Sequence, residues 1–251
     1  MVVVGDEILS GKRRDTHFAF VVEALRRRGL ALAWARIVGD DHDLLVRTYR
    51  ETLASGAVVF SFGGIGGTPD DITRQCAAEA FGLEIEPHPE AMRILREKFG
   101  DDVYPYKVRM AEFPVGSTLI PNPVNRIAGF SINQHHFVPG FPNMSHPMIE
   151  WVLDHHYSDH FREPEVELRI VAEAPESRLI VAEERIVEDY PDVRLSSLPN
   201  TQNRMNVDLG LKGEKARVEQ AMAALTAMLD ADGIGWAPVE TVDNDAGERG
   251  Q

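Results

Sequence analysis

Apolar positions along the chain fall into two rhythms. Val2 to Val4 and Ala57 to Phe62 are short apolar runs of strand character, and each leads into a glycine-rich turn. Between them, Phe18, Val21, Val22 and Leu25 recur at helical spacing, with Asp15 as a candidate N-cap and Gly29 as the stop. The same reading gives a strand over 30–38, a helix over 40–55, and a helix that Pro69 opens and that runs to about Phe81. A further helix covers 87–100. Strands alternating with helices predict an α/β domain with a mostly parallel sheet covered on both faces.

Residues 101–142 break the alternation. They are rich in Pro, Gly and Asn, with short β-like pieces at 117–120, 129–132 and 136–138, and loops of that length usually carry function. Pro139-Gly140-Phe141-Pro142 is a sharp turn before a helix over 143–157. A boundary falls near Arg162-Glu163-Pro164. Beyond it the pattern reads strand, helix, strand, strand, helix, a small α+β module. The expected organisation is a large domain over 1–162, a βαββα domain over 163–240 and a disordered tail over 241–251.

Composition narrows the function classes. The 251 residues carry a formal net charge of −14 and no basic stripe, so nucleic acid is not an expected partner. No run of 18 apolar residues occurs, so no membrane span is expected. MVVVGDEIL does not read as a secretory signal, and the single cysteine, Cys76, fits a reducing compartment. The expected location is cytoplasmic. Arg26-Arg27-Arg28, just before Gly29, complements a helix dipole without further chemistry.

The strongest chemical signal is Gly63-Gly64-Ile65-Gly66-Gly67-Thr68-Pro69-Asp70-Asp71-Ile72-Thr73. Glycines between a strand and a helix let several main-chain amides converge on a ligand, beside a helix start that favours anions. The loop is neither a Walker loop, which needs a lysine, nor the dinucleotide fingerprint, which needs a further glycine where Pro69 stands. Thr68 with Asp71 also makes a good helix start with no chemistry at all. Yet aspartates on the lip of a phosphate cradle repel phosphate unless a hard cation such as Mg²⁺ bridges them. Gly5-Asp6-Glu7-Ile8-Leu9-Ser10-Gly11, with Asp15-Thr16 after it, repeats the theme behind the first strand. In a parallel sheet both turns belong to one edge, which predicts that Asp6, Glu7, Asp70 and Asp71 share a crevice. His135-His136 and His155-His156 with His160 lack the acid of a zinc-protease motif and read as ordinary histidines.

These two turns resemble the GDE-[IL]-L-x-G…DTN and GG-[IL]-GPT-x-DD-x-T signatures of the molybdopterin-binding domain family. The likeness is to the family as it occurs in CinA-type proteins and in FAD synthases, with a MoaB/MogA-like fold. Lys107-Val108-Arg109-Met110-Ala111-Glu112-Phe113-Pro114, Asn122-Pro123-Val124 and Val138-Pro139-Gly140-Phe141-Pro142 are similar to further segments of the same family, and the match spans 2 to about 157. The segment after 164 resembles, more weakly, the small domain that follows in such proteins.

The resemblance implies a three-layer α/β/α fold, a phosphate-bearing pterin or nucleotide as ligand, and metal-dependent hydrolysis of dinucleotide pyrophosphates such as ADP-ribose or FAD. It implies catalytic and metal roles for Asp71, Asp70 and Asp6. It assigns ligand contacts to Gly5, Glu7, Gly11, Asp15, Gly63, Gly64, Gly66, Gly67, Thr68, Thr73, Lys107, Arg109, Pro139 and Gly140. Mg²⁺ is the implied cofactor, molybdopterin a candidate ligand, and a homo-oligomer the implied assembly. A protein that binds molybdopterin or a nucleotide without chemistry, and a pure interaction module, are the alternatives. The chain departs from the family at His17, where Asn is usual, at Gly67, where Pro is usual, and over Asn125 to Gly129.

Overall fold

The computed structural model describes residues 1–200, 203 and 205–239, so the expected tail over 241–251 lies outside the described residues. The chain divides into two compact units, Met1–Phe161 and the residues from Arg162 on.

The first unit opens with β1 (Val2–Val4), the single helical turn α1 (Asp6–Leu9), α2 (His17–Arg26), β2 (Arg36–Val38), α3 (His42–Ser55) and β3 (Val59–Phe62). It continues with α4 (Thr73–Phe81), β4 (Ile85–Pro87), α5 (Pro89–Phe99), β5 (Glu112–Pro114), β6 (Thr118–Ile120), β7 (Gly129–Ile132), β8 (His135–Val138) and α6 (Pro142–His156). Six strands form one sheet in the order β2-β1-β3-β8-β7-β6. The first four are mutually parallel, and β7 and β6 are antiparallel additions at one edge. β4 and β5 pair separately.

Side-chain alternation along the central strands builds a core on each face. Val2, Val4, Val59 and Phe137 pack with Leu45, Tyr49, Cys76 and Ala77. Val3, Phe60, Phe62 and Val138 pack with Val21, Leu25, Met148 and Val152. The sheet is therefore covered on both sides, α3, α4 and α5 on one and α2 and α6 on the other. Two polar pairs inside it are matched: Tyr49 Oη and Ser61 Oγ lie 2.9 Å apart, and Thr52 Oγ1 lies 2.8 Å from His135 Nε2.

Three expectations shift. Residues 30–35 form no strand, and only Arg36–Val38 pairs with β1. Gly5 to Gly11 is not simply a turn but contains α1. Pro69 does not open a helix: α4 begins at Thr73, and Thr68 to Ile72 form a separate turn closed by the Asp71 N–H on the Thr68 carbonyl at 3.1 Å.

The second unit consists of β9 (Val166–Ala172), α7 (Ile180–Asp189), β10 (Arg194–Pro199), β11 (Val207–Gly213), α8 (Lys215–Ala231) and β12 (Trp236–Pro238). Its antiparallel sheet has the order β10-β11-β9-β12. Beyond the expected βαββα pattern, β12 adds an edge strand. The helices close a separate core around Leu209, Leu211, Leu225 and Leu229. No helix among the described residues is long and apolar enough to cross a membrane.

Candidate functional site

All four parallel strands discharge their carboxyl ends into one cleft of about 470 Å³. β2 delivers Asp40, β1 delivers Gly5 and Glu7, β3 delivers the glycine loop from Gly63, and β8 delivers Pro139, Gly140 and Phe141. That edge of a parallel sheet is where ligands of open α/β proteins bind.

The glycine loop is shaped by close approaches that a side chain would block. Gly63 has φ +99° and Gly64 φ +67°. A Cβ on Gly63 would strike the Val4 carbonyl, and one on Gly64 would strike the Thr73 hydroxyl behind it. Gly63 N–H donates to the Val138 carbonyl at 3.0 Å and Thr73 N–H to the Gly64 carbonyl at 3.0 Å, which pins both ends. Between them, the amide hydrogens of Gly64, Ile65, Gly66 and Gly67 meet no acceptor among the described residues. Under the loop, the buried Arg74 guanidinium donates to the Ile65 carbonyl. Burial lowers the Arg74 pKa to about 10, with Asp71 and Glu112 opposing and Arg109 adding to that shift, so it keeps its charge at neutral pH.

The acids divide into lining and framing groups. Glu7, Asp40, Asp70 and Asp71 line the cleft. Asp6 does not: its N–H donates to Asp40 Oδ2 at 3.0 Å, and its own Oδ1 accepts from Asp40 N–H at 3.2 Å. Asp71 Oδ2 accepts from both Thr68 N–H (2.9 Å) and the Thr68 hydroxyl (2.5 Å), and its carboxylate lies against Gly66. Asp40 is held above the usual carboxylate range, chiefly by burial, with Asp6, Glu7 and Asp70 adding repulsion against the relief from the Asp6 amide.

Of the residues singled out in the sequence, Gly5, Glu7, Gly63, Gly64, Gly66, Gly67, Thr68, Asp70, Asp71, Pro139 and Gly140 come together in the cleft. The others stand outside its lining. Gly11 has φ +73° in the turn after α1. Asp15 is committed to capping α2, its carboxylate accepting from His17 N–H and Phe18 N–H at 3.0 Å each. Thr73 is buried behind Gly64. Lys107, with Nζ 4.4 Å from the Phe99 ring centre, and Arg109, 5.8 Å from that of Tyr106, are not among the lining residues.

Sequence reasoning missed Asp40, Arg13, Asn122, Asn125, Phe141 and Met144 as lining residues. Asp40 was within reach, since Val38-Gly39-Asp40 ends a parallel strand like the two turns already chosen. Asn122 acts as a loop former: its Oδ1 accepts from Val124 N–H at 3.0 Å and its Nδ2 donates to the Ile127 carbonyl at 3.1 Å. His17 braces the turn that ends the cleft. Its Nε2 lies 3.3 Å from the Gly140 carbonyl, which can only accept, so Nε2 carries the proton. In the neutral ring Nδ1 then accepts from His146 Nε2 at 3.2 Å, which ties α2 and α6 to the Pro139-Gly140 turn.

The fold and the cleft define a class: an α/β domain whose glycine loop and acidic lip share the carboxyl edge of a parallel sheet. The chain belongs to the molybdopterin-binding domain family, since residues 1–157 match the family model "Probable molybdopterin binding domain". A protein from Pyrobaculum calidifontis is 30% identical over 211 residues, 79% of each chain. A CinA-like protein of Anaeromyxobacter sp. (strain K) is 34% identical over 163 residues, which cover 62% of this chain and only 40% of that relative. The crystal structure of the protein CinA, of unknown function, from Thermoplasma acidophilum superposes with a TM-score of 0.57 at 28% identity, covering 61% of this chain and 94% of that one.

Proposed function

We propose that this chain is a cytosolic protein that binds a phosphate-bearing pterin or nucleotide in the cleft and hydrolyses dinucleotide pyrophosphates of the ADP-ribose or FAD type with a divalent cation. The observation that carries the reading is the run of uncommitted amides from Gly64 to Gly67 in a cleft that Glu7, Asp40, Asp70 and Asp71 also line, with Arg13 as the lining cation. Amides aimed at an anion and carboxylates beside it are compatible only through a cation or a shared proton.

The donors fit a hard cation that keeps substrate phosphates as part of its shell. Among the described residues no three His, Cys, Asp or Glu side chains form a ready metal cage. Mg²⁺ commonly needs only one or two carboxylates plus phosphate, and the half-buried Asp40 has Asp6, Glu7 and Asp70 as charged neighbours. Asp40 and Asp70 would hold the cation, with Asp71 fixing the loop beside them. A cation there supplies charge neutralisation and polarisation at the phosphoryl group. The glycine amides would hold the non-bridging oxygens, and Arg13 offers a second positive group.

The test is turnover of ADP-ribose, FAD and related dinucleotides across Mg²⁺, Mn²⁺ and Co²⁺, with Asp71→Ala and Asp40→Asn as controls. Cation-dependent cleavage lost in both variants supports the reading, and no turnover with any pair overturns the catalytic part. A second reading, a binding protein without chemistry, is favoured by one detail: both hydrogen bonds from Thr68 fall on one oxygen of Asp71, as in a purely structural turn. Tight ligand binding without hydrolysis supports it.

A further inference from the structure

A single positive charge is buried behind the glycine loop. Arg74, the second residue of α4, is 1% exposed, and among the described residues it is the one Lys, Arg, Asp or Glu side chain that is buried. Other arginines of the same unit meet carboxylates at the surface, as in Arg27–Glu150, Arg36–Glu51 and Arg126–Glu97. Arg74 has no ion-pair partner among the described residues. Asp71 and Glu112 attract it from farther off, and Arg109 repels it. Its Nε is buried without an acceptor, and its Nη1 donates to the Ile65 carbonyl. Taking a guanidinium out of water without a carboxylate is unfavourable, so a cation kept in such a place points to a task beyond packing.

Where that charge acts follows from peptide geometry. In a planar trans peptide the carbonyl and the following N–H point in opposite directions. The Gly64 carbonyl accepts from Thr73 N–H at 3.0 Å, and the Ile65 carbonyl accepts from Arg74. Two consecutive carbonyls of the loop are thus held toward the first two residues of α4, which turns the Ile65 and Gly66 amides the other way. Both residues line the cleft, and neither amide has an acceptor among the described residues. A cationic donor on the carbonyl also polarises the Ile65–Gly66 peptide and makes its N–H a stronger donor.

We propose that Arg74 is the positioning residue of the anion site: through the Ile65 carbonyl it aims the Gly66 amide at a ligand phosphate and lends that amide positive charge from behind. The inference rests on the reading that phosphate occupies the loop. It goes beyond that reading by giving the strength of the site to a side chain that does not line the cleft.

Calorimetry with Mg²⁺ and methylenediphosphonate, a pyrophosphate mimic whose P–C–P bridge resists hydrolysis, tests the assignment. Arg74→Met keeps the length of the side chain and removes its charge and donors, and affinity falls about tenfold. Arg74→Lys keeps a charged donor and stays within about threefold of the wild type. An Arg74→Met protein that melts cooperatively and binds like the wild type overturns the assignment and leaves the phosphate site standing. Equal losses in the two variants also overturn it, because charge is then not what the site draws on.

Nitrogen–proton correlation spectra of the wild type give a reading that does not depend on a variant folding. The diphosphonate moves the Ile65 and Gly66 amide signals downfield, and moves them more than those of Gly63 and Thr73, whose amides already donate to the Val138 and Gly64 carbonyls. A Gly66 signal that stays in place while the diphosphonate binds overturns the role of Arg74. A wild-type protein that binds no diphosphonate overturns the phosphate reading itself, and the role of Arg74 with it.

Discussion

Asp6 and Asp40 exchange two hydrogen bonds, each carboxylate accepting from the other's main-chain amide at 3.0 and 3.2 Å. The exchange joins the turns after β1 and β2 and sets two like charges side by side. Asp6 thus frames the acidic lip, and Asp40 presents it to the cleft.

Burial, with repulsion from Asp6, Glu7 and Asp70 added, holds the Asp40 carboxyl above its usual range. An acid whose folded pKa is raised binds its proton more tightly in the native state, so stability is greatest below the unfolded value and declines as pH rises through the folded one. Asp40→Asn keeps an acceptor for the Asp6 amide and removes the repulsion. Its melting temperature at pH 7 should equal or exceed that of the wild type, and Mg²⁺ should stabilise it less. A scan with and without the cation checks both.

Two glycines of one loop should respond in opposite ways. A methyl on Gly66 would run into the Asp71 carboxylate, which Thr68 holds in place, so Gly66→Ala should cost about 1–3 kcal/mol. Gly67 has only ordinary contacts around its missing side chain and no positive φ, so Gly67→Ala should be neutral or stabilising by up to about 1 kcal/mol. Chemical denaturation of both variants measures the contrast.

Two histidines, His136 buried and His146 half-buried, set the acid limit of the first unit. Burial lowers His146 to about 4 and His136 to about 3, from an ordinary value of 6.5. Their unfolded forms take up protons first as pH falls, so the stability present above pH 6.5 should be lost progressively toward pH 4. His146→Leu should flatten that decline, which melting curves across the window would reveal.

The sequence made the central strands and the two glycine turns legible because each signal there is local: an apolar run, then residues that only a turn tolerates. Three features were hidden. The strand over 30–38 shrank to Arg36–Val38 because its apolar residues, among them Leu30, Leu32 and Trp34, pack from an irregular segment. Thr68 and Asp71 read equally well as a helix start, and the difference is set by Gly64 taking the first amide of α4. The roles of Arg74 and His17 depend on partners in distant or looped segments, the Ile65 carbonyl and the Gly140 carbonyl, that no periodicity marks.

The central claim is that the amides of the glycine loop, with a cation on the neighbouring carboxylates, hold a phosphate-bearing ligand. The most direct measurement is a thermal shift of the wild-type protein with ADP-ribose and FAD, each with and without Mg²⁺. At a hundredfold excess over the dissociation constant, binding adds about 2.7 kcal/mol, a rise of several degrees that should require the cation and vanish in Gly64→Ala. An unchanged melting temperature with every ligand and cation would contradict the account.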